Sequence, residues 1–355
     1  MEHNLLISKI TQQYNEKLPF VIFSFPESDS LKVFLQKSGK LHTVEKLSEN
    51  GFVFAPFDYK DSAYYIPEND SEIYQTELLK NDFDLISFPV PKDIKEKNKY
   101  IKLIDKTVET IKKRKANKIV ISRYKDFELQ RFSIEKLIER LFLSYPNAFR
   151  YIWYHPIIGL WCGATPETLV QIENNSFKTM ALAGTQPFSN REHVHWGPKE
   201  LDEQQLVTDA ITNSLQKVTS VLKVSNPHTY QAGSLLHLRT DIEGVLKNGK
   251  ATLSTIAAAL HPTPAVCGSP QKFAKEFILE NEAYNREFYT GFLGPILENG
   301  NSASLMVNLR CMKIDGNNAR VFVGGGITLG SQSHEEWNET QNKMQTMLQV
   351  LQPML

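Results

Sequence analysis

The first hundred residues alternate short apolar runs with turn-forming residues. The apolar runs are rich in aromatic and β-branched residues, which favour strands, and Asp, Asn, Pro and Gly separate them. The runs that predict strands are FVIFSF (20–25), LKVFLQ (31–36), FVFAPF (52–57) and SAYYIP (62–67). We therefore expect this part of the chain to be rich in β-structure.

A polar, lysine-rich segment follows, from Pro91 to about Asn117. Its apolar residues recur three and four positions apart, as on one face of a helix: Ile101, Ile104, Val108 and Ile111. Acidic residues are interleaved with the lysines, whereas aromatic side chains are not. The segment therefore predicts an amphipathic helix with a solvated basic face rather than a nucleic-acid-binding surface.

Strand-like and helix-like segments are mixed from Lys118 onward. The strand-like segments are KIVISRY, FRYIWYH, LWCGATPE, TLVQIE, FKTMALAGT, LLHLRTDIEGVL, YTGFLGPI, ASLMVNLRCMKI and ARVFVGGGI. The helix-like segments are SIEKLIERLFLSY, about Glu200 to Val224, STIAAALH, about Gln271 to Glu280, and a final helix that begins near His334. Runs of strands with helices between only some of them favour mixed α+β layers over regular βαβ winding.

The composition is that of an ordinary globular protein, with 41% hydrophobic and 23% charged residues among 355. Its 40 basic residues balance 40 acidic ones, so no overall charge favours nucleic acid or an anionic membrane. Neither a signal-peptide pattern nor an apolar run long enough to span a bilayer is present. The three cysteines lie far apart, which indicates neither a disulfide framework nor a zinc site. We expect a cytoplasmic protein.

Two glutamate pairs with Glu-x-x-Glu spacing lie in helix-like segments. Glu200 and Glu203 form one pair in KELDEQQLV, and Glu336 and Glu339 form the other in SHEEWNETQNK, followed by Lys343. If the two helices face each other, their carboxylates offer the oxygen ligands that suit Mg²⁺. Taken alone, each pair is more often a solvated surface.

A glycine-rich segment, VFVGGGITLGS, places three consecutive glycines after a strand and before the final helix. Backbone N–H groups can converge on an anion at such a place. The pattern is neither GxGxxG nor a Walker motif, so a tight turn with packing glycines is an equal alternative.

Arg310 lies in the apolar segment ASLMVNLRCMKI. Strand alternation predicts two faces, one with Val307, Leu309 and Cys311 and the other with Met306, Asn308 and Arg310. A guanidinium in such surroundings either pairs with an acid or binds a carboxylate or phosphate ligand. The residues alone leave both interpretations open.

Lys118 and Glu167 have the side chains of a base and an acid. Lys118 precedes IVISR, and Glu167 follows a proline in GATPETLV. A lysine serves as a base only if its pKa is lowered, and a glutamate serves as an acid only if burial raises its pKa. His237 and His261 lie in apolar surroundings without zinc-ligand spacing, as is typical of hydrogen-bonded core histidines.

Taken in order, these segments resemble the chorismate-utilising enzymes, and most closely the isochorismate synthases among them. The resemblance covers roughly residues 95 to 350. It depends on KIVISR, GATPE, ALAGT, the E-x-x-E helix, LHL-x-T, LHPTPAVCG, R-x-x-YTG-x-x-G, NLRC, GGGI and EEWNET. It implies an α+β fold like that of anthranilate synthase component I, with two packed β-sheets surrounded by helices. Residues 1–94 would be a variable, β-rich N-terminal part of the same fold, and residues 95–355 the chorismate-binding catalytic region.

The resemblance also implies a site that binds chorismate together with Mg²⁺. Glu203 and Glu339 match the metal-ligand positions, and Glu200 and Glu336 match positions that support the metal through water. The implied substrate-binding positions are Gly184, Thr185, His237, Ala265, Tyr289, Arg310, Gly325, Gly326 and Lys343. Among them, Arg310 and Tyr289 match the site of the enolpyruvyl carboxylate.

Lys118 determines the reaction class that the resemblance implies. Family members that add water at ring carbon 2 have lysine at this position, whereas those that add ammonia have an amide-bearing residue. Lys118 is then the base for water, and Glu167 is the acid that protonates the departing 4-hydroxyl. The expected activity is that of an isochorismate synthase, feeding menaquinone or siderophore biosynthesis; the alternatives are a salicylate synthase, which also eliminates pyruvate, and a non-catalytic relative.

Two departures from the family pattern occur. The residue after Glu203 is Gln204, where the family often has histidine, but that histidine is not a metal ligand. The N-terminal region shows no match to the amino-acid feedback site of anthranilate synthases. We expect a monomer without a glutamine amidotransferase partner.

Overall fold

The computed structural model of the chain describes residues 3–60, 62–78, 88–91, 93–187, 194–232, 235–247 and 251–355. Within these ranges the helices are α1 (His3–Asn15), α2 (Ile94–Lys112), α3 (Ile134–Ser144), α4 (Pro198–Leu215), α5 (Leu253–Leu260), α6 (Gln271–Asn281) and α7 (Ser333–Leu351). Short 3₁₀ turns lie at Glu298–Gly300 and Gln352–Met354. None of the helices in the described part combines the length and hydropathy of a membrane-spanning segment.

The strands pair in an antiparallel manner in two sheets. In spatial order, the described strands of the first sheet are β15 (Gly268–Ser269), β7 (Lys118–Glu128), β19 (Asn318–Ile327), β18 (Cys311–Asp315), β9 (Gly159–Thr165), β8 (Phe149–His155), β1 (Phe20–Ser24), β2 (Ser30–Gln36) and β6 (Ser71–Glu77). Those of the second sheet are β12 (Thr219–Val224), β14 (Leu235–Leu246), β11 (Ser176–Pro187), β10 (Thr168–Glu173), β17 (Ser302–Val307), β16 (Phe292–Leu297), β4 (Gly51–Ala55), β5 (Ala63–Pro67) and β3 (His42–Val44), with β13 (His228–Ala232) also pairing with β14.

The two sheets pack face to face through an aromatic core, which includes Phe54, Trp153, Trp161 and Phe322. On its other face, the first sheet packs against α1, α3 and α7, while the second packs against α4 and α5. Central strands are thus covered on both faces, which explains why every residue of β8 is buried. The predicted α+β fold of two packed sheets surrounded by helices is confirmed.

The lysine-rich segment forms α2, as predicted, and Ile104 and Ile111 are buried on its inner face. Strands from the first 94 residues enter both sheets: β1, β2 and β6 join the first sheet, and β3, β4 and β5 join the second. The N-terminal part therefore packs into the same pair of sheets as the remainder of the chain. The sequence did not predict α1.

The helix predicted from about Glu200 to Val224 is wrong at its C-terminal end. Helix α4 ends at Leu215, and Thr219 to Val224 form strand β12, which pairs with β14. The physical reason is that Leu215 is the last buried apolar residue of the helix, and the β-branched residues Thr219, Val221 and Val224 favour a strand.

The continuous strand predicted for ASLMVNLRCMKI is also wrong. The chain leaves the second sheet at Val307 and enters the first sheet at Cys311, so the two halves belong to different sheets. Arg310 has a φ of 46° at this crossing, a left-handed conformation incompatible with a regular strand. The predicted alternation through Asn308, Leu309 and Arg310 therefore does not hold. Arg310 instead lies where the two sheets meet.

Candidate active site

One cavity collects nearly all the residues that the sequence singled out. It is bordered by β7 and β19 of the first sheet, by β11 and β14 of the second, and by helices α4 and α7. The predicted residues that line it are Lys118, Glu167, Gly184, Thr185, Glu203, His237, Ala265, Tyr289, Arg310, Gly325, Gly326, Glu336, Glu339 and Lys343. Residues far apart in the sequence are thus brought together at one place.

Lys118 is the first residue of β7 and is only 1% exposed. Its Nζ lies 2.9 Å from Oε1 of Glu203 on α4, which provides the partner that a buried ammonium requires. Gly326 faces this ion pair across the strand pair β7–β19: a Cβ there would lie 2.6 Å from Cε of Lys118 and 2.8 Å from Oε1 of Glu203. Only glycine leaves room for this arrangement.

Glu167 precedes β10 and is 3% exposed. Burial raises the pKa of its carboxyl to about 7. The positive charge of Lys118, a hydrogen bond donated by Thr263 and the positive charge of Lys343 oppose the rise. Oγ1 of Thr263 donates this bond to Oε1 of Glu167 at 3.3 Å. A substantial fraction of the carboxyl is therefore protonated near neutral pH, as a general acid requires.

Helix α7 presents Glu336, Glu339 and Lys343 to the cavity. Lys343 Nζ lies 2.6 Å from Oε1 of Glu339 and donates to the carbonyl of Gly324 at 3.0 Å. Glu336 is 2% exposed, and Oγ of Ser331 donates to its Oε1 at 2.6 Å. The predicted face of this helix is therefore a wall of the cavity and not a solvated surface.

His237 lies on β14 with its ring against the glycine turn of β11. Its Nδ1 is 2.9 Å from the carbonyl oxygen of Gly184 and 3.2 Å from Oγ1 of Thr185. Burial, reinforced by Arg310 and Lys343, lowers the pKa of His237 to about 3, so the ring is neutral. Because a carbonyl only accepts, Nδ1 carries the proton. Nε2 is buried with no hydrogen-bond partner in the described part of the chain.

Arg310 lines the cavity without a carboxylate at ion-pair distance among the described residues. Its Nη1 is 3.5 Å from Oγ1 of Thr346, and burial lowers its pKa. Tyr289 stacks on Phe322 with ring centroids 5.5 Å apart, and burial raises its pKa, so its hydroxyl stays neutral. A cation and a phenol thus face the cavity together.

Glu200 is the predicted site residue that does not line the cavity. Its Oε2 accepts the backbone N–H of Gly197 at 3.0 Å and caps the start of α4, and its Cβ packs near Gly184. The helix spacing alone suggested that Glu200 and Glu203 act together. The backbone N–H of the N-cap residue, Gly197, instead engages the first of the two carboxylates.

The carboxylates of Glu203, Glu336 and Glu339 are the candidates for holding a metal. In the described ranges, no three metal-ligating side chains lie close enough together to form a closed metal site. Mg²⁺ commonly takes only one or two protein carboxylates and keeps several waters. An all-oxygen set of this kind fits Mg²⁺ better than a soft metal.

Sequence reasoning missed several residues of the cavity because they lie in ordinary apolar or turn sequence. These residues are Val120, Pro166, Leu182, Ala183, Val266, Thr290, Leu309, Phe322, Val323 and Gly324. Thr263 and Ser331, which bond Glu167 and Glu336, were missed as well. Proximity to a recognised motif was the one available signal, since Thr263 belongs to LHPTPAVCG and Ser331 follows GGGI.

The two packed sheets bring a buried lysine, a protonatable glutamate and carboxylates from two helices to one cavity. This combination of fold and cavity is that of an enzyme. The sequence profile described as "Chorismate binding enzyme" matches residues 64–352, and the chain belongs to this family. The family resemblance drawn from the sequence is therefore confirmed.

The chain is similar to proteins of this family from bacteria. It is 33% identical over 198 residues to isochorismate synthase DhbC of Bacillus subtilis, covering 53% of this chain and 50% of that protein. It is 34% identical over 247 residues to isochorismate synthase EntC of Escherichia coli K12, covering 66% of this chain and 62% of that protein. The matched part thus spans between half and two thirds of these relatives.

A solved structure shares the fold over nearly its whole length. It is described as a putative 2,3-dihydroxybenzoate-specific isochorismate synthase, DhbC, from Bacillus anthracis. The TM-score is 0.82 at 26% identity, covering 98% of this chain and 99% of that one.

Proposed function

We propose that this protein is an isochorismate synthase, which converts chorismate to isochorismate by adding water at ring carbon 2 with loss of the 4-hydroxyl. The observation that carries the proposal is that Lys118 and Glu167 line the same cavity, both buried, with the pKa of Glu167 raised to about 7. The relatives named isochorismate synthases support the same activity.

In the proposed reaction, Lys118 acts as the base and accepts a proton from the attacking water, whose oxygen bonds to ring carbon 2. The ring double bonds shift, and the bond from carbon 4 to its hydroxyl breaks. Glu167 donates its proton to that hydroxyl, which leaves as water. One water enters and one leaves, so substrate and product are isomers and no redox cofactor is required.

The remaining groups orient the substrate, which carries two carboxylates. Arg310, with Tyr289 beside it, binds the enolpyruvyl carboxylate, because its guanidinium has no acidic partner in the described structure. Lys343 and the backbone at Gly325 and Gly326 bind the ring carboxylate. The backbone near Gly184 and Thr185 helps to hold the ring carboxylate, Ala265 also borders the substrate, and the unpaired Nε2 of His237 accepts a hydrogen bond from bound ligand or water.

Mg²⁺ is part of this proposal. Glu203 and Glu339 would hold the ion, and Glu336, kept in place by Ser331, would support it through water. An ion held there would supply positive charge that stabilises the ring carboxylate and would help to orient the ring. Glu200, whose carboxylate caps α4, contributes through the position of that helix.

The product would feed menaquinone or siderophore biosynthesis, with menaquinone slightly favoured. The enzyme would act in the cytoplasm as a monomer. It would need no glutamine amidotransferase, because water and not ammonia is the nucleophile. The chemistry proposed for the cavity is the same whichever pathway uses the product.

The test is to incubate the purified protein with chorismate and Mg²⁺ and to follow isochorismate, salicylate and pyruvate by chromatography. We expect isochorismate alone; stoichiometric pyruvate would show a salicylate synthase instead. Lys118→Ala is expected to abolish the hydration. Lys178→Ala is the matched control, since Lys178 also pairs with a glutamate at 2.9 Å but is exposed. Undiminished hydration by Lys118→Ala would eliminate Lys118 as the base.

A further inference from the structure

A second buried ion pair lies just behind the cavity, between Glu282 and Arg286. Their side chains are 1% and 2% exposed, and neither lines the cavity. Nη2 of Arg286 donates to Oε1 of Glu282 at 2.6 Å, and Nε donates to Oε2 at 2.8 Å. This two-point contact fixes the plane of the guanidinium.

The remaining N–H groups of Arg286 bind three segments of the cavity wall. Nη2 donates to the carbonyl of Val120 at 2.7 Å, and Nη1 donates to the carbonyl of Val266 at 3.0 Å and to Oγ1 of Thr290 at 3.1 Å. Each of these three residues lines the cavity. All five guanidinium N–H groups are thereby used.

Each contacted residue is close in sequence to a residue of the proposed reaction. Val120 is two residues after Lys118 on β7, Val266 follows Ala265, and Thr290 follows Tyr289. Glu282 extends the contacts along β7. Oε1 of Glu282 accepts hydrogen bonds from the backbone N–H of Ser122 at 2.6 Å and from the hydroxyl of Ser122 at 2.9 Å.

We propose that Arg286 and Glu282 are positioning residues for the reaction, an inference that rests on the proposed function. They hold the strand of Lys118 at a fixed distance from the segments that carry Ala265 and Tyr289. A lysine at position 286 would keep the charge but lose the planar fork, so it could not bridge the three segments. Displacement of a reacting group by about 1 Å costs roughly 100-fold in rate.

The experiment compares Arg286→Lys and Glu282→Gln with Arg150→Lys. Arg150 is the matched control because it is 1% exposed and donates to the carbonyl oxygens of Phe25 and Ser28 and to Ser24, none of which lines the cavity. For each full-length variant, kcat and KM for chorismate are measured, along with the midpoint of denaturant unfolding. We expect Arg286→Lys and Glu282→Gln to lower kcat at least about 10-fold, with KM within about 3-fold.

Arg150→Lys is expected to lose stability while keeping kcat within about 2-fold. If Arg286→Lys and Glu282→Gln kept the wild-type kcat, or if Arg150→Lys lowered kcat as much as they do, the pair would be merely structural and the inference overturned. Should Arg286→Lys fail to fold, Glu282→Gln decides alone, because it keeps the shape of the side chain. A wild-type protein inert toward chorismate would refute the proposed function itself and this inference with it.

Discussion

Lys118 and Glu203 form a 2.9 Å ion pair that joins the first strand residue of β7 to helix α4, across the junction of the two sheets. The proposed base and a proposed metal ligand are thus direct partners.

The activity should decline as the pH rises through about 7. Glu167 can donate a proton only in its protonated form, and burial raises its pKa to about 7. We expect kcat/KM to fall above this pH, forming a descending limb of the pH–rate profile as Glu167 of the free enzyme loses its proton. We expect Glu167→Gln to be inactive at every pH measured. A pH–rate profile without that limb would exclude Glu167 as the acid.

Thr263→Val should move that limb to higher pH. The hydroxyl of Thr263 donates to Glu167 at 3.3 Å and favours the charged carboxylate, so its removal raises the pKa of Glu167 further. The measurement is kcat/KM against pH for the variant and the wild type. Thr255→Val, at the exposed start of α5, is the control and should leave the limb in place.

Glu167 should also make stability depend on pH. Its pKa is raised from an ordinary value of 4.5 to about 7 in the folded state, so the folded protein binds the proton more tightly than the unfolded chain. The stabilisation is therefore present below pH 4.5 and lost as the pH rises to about 7, by roughly 3 kcal/mol. Relative to Glu167→Gln, the wild type should lose that amount of unfolding free energy between pH 4.5 and 8, measured by urea unfolding. Parallel curves for the two proteins would contradict this assignment.

Gly326→Ala should reduce activity by at least about 10-fold. The added methyl group would lie 2.6 Å from Cε of Lys118 and 2.8 Å from Oε1 of Glu203, so the ion pair must shift. Gly39→Ala serves as the control, because nothing lies within 4 Å of a Cβ at that position. Equal kcat in the two variants would show that the ion pair tolerates the shift.

Ser331→Ala should weaken Mg²⁺ binding by roughly 10-fold, as expected for loss of one hydrogen bond to a charged group. Oγ of Ser331 donates to Glu336 at 2.6 Å and fixes that carboxylate at the cavity. Titration calorimetry with Mg²⁺ in the presence of chorismate measures the change. Ser302→Ala removes a similar bond, to Glu173 at 3.2 Å outside the cavity, and should leave the affinity unchanged.

The sequence predicted the central strands well because burial on both faces produces continuous apolar runs. FRYIWYH corresponds to β8, Phe149–His155, where every residue is buried. Helix α2 was predicted from its apolar spacing because one face is covered and the other is solvated. Thr219–Val224 was assigned to a helix because an exposed edge strand lacks such a run.

The site was predictable in membership but not in geometry. Sequence blocks identified Lys118, Glu203 and Arg310, yet no local pattern indicates that Lys118 and Glu203 are in contact. The role of Glu200 as a helix cap depends on the path of the backbone before α4. The left-handed backbone of Arg310 occurs where the chain crosses from the second sheet to the first, and a single strand pattern does not encode such a crossing.

The distribution of the N-terminal strands between both sheets has a consequence for shortened forms of this chain. Strand β8 pairs with β1, and β16 pairs with β4, so residues 95–355 alone would leave β8 and β16 with unpaired edges. Apolar faces now covered between the sheets, around Phe149 and Leu293, would be uncovered beside those edges. Such edges recruit further strands from other molecules. Residues 1–94 thus cover two strand edges that the remainder of the chain would otherwise expose to self-association.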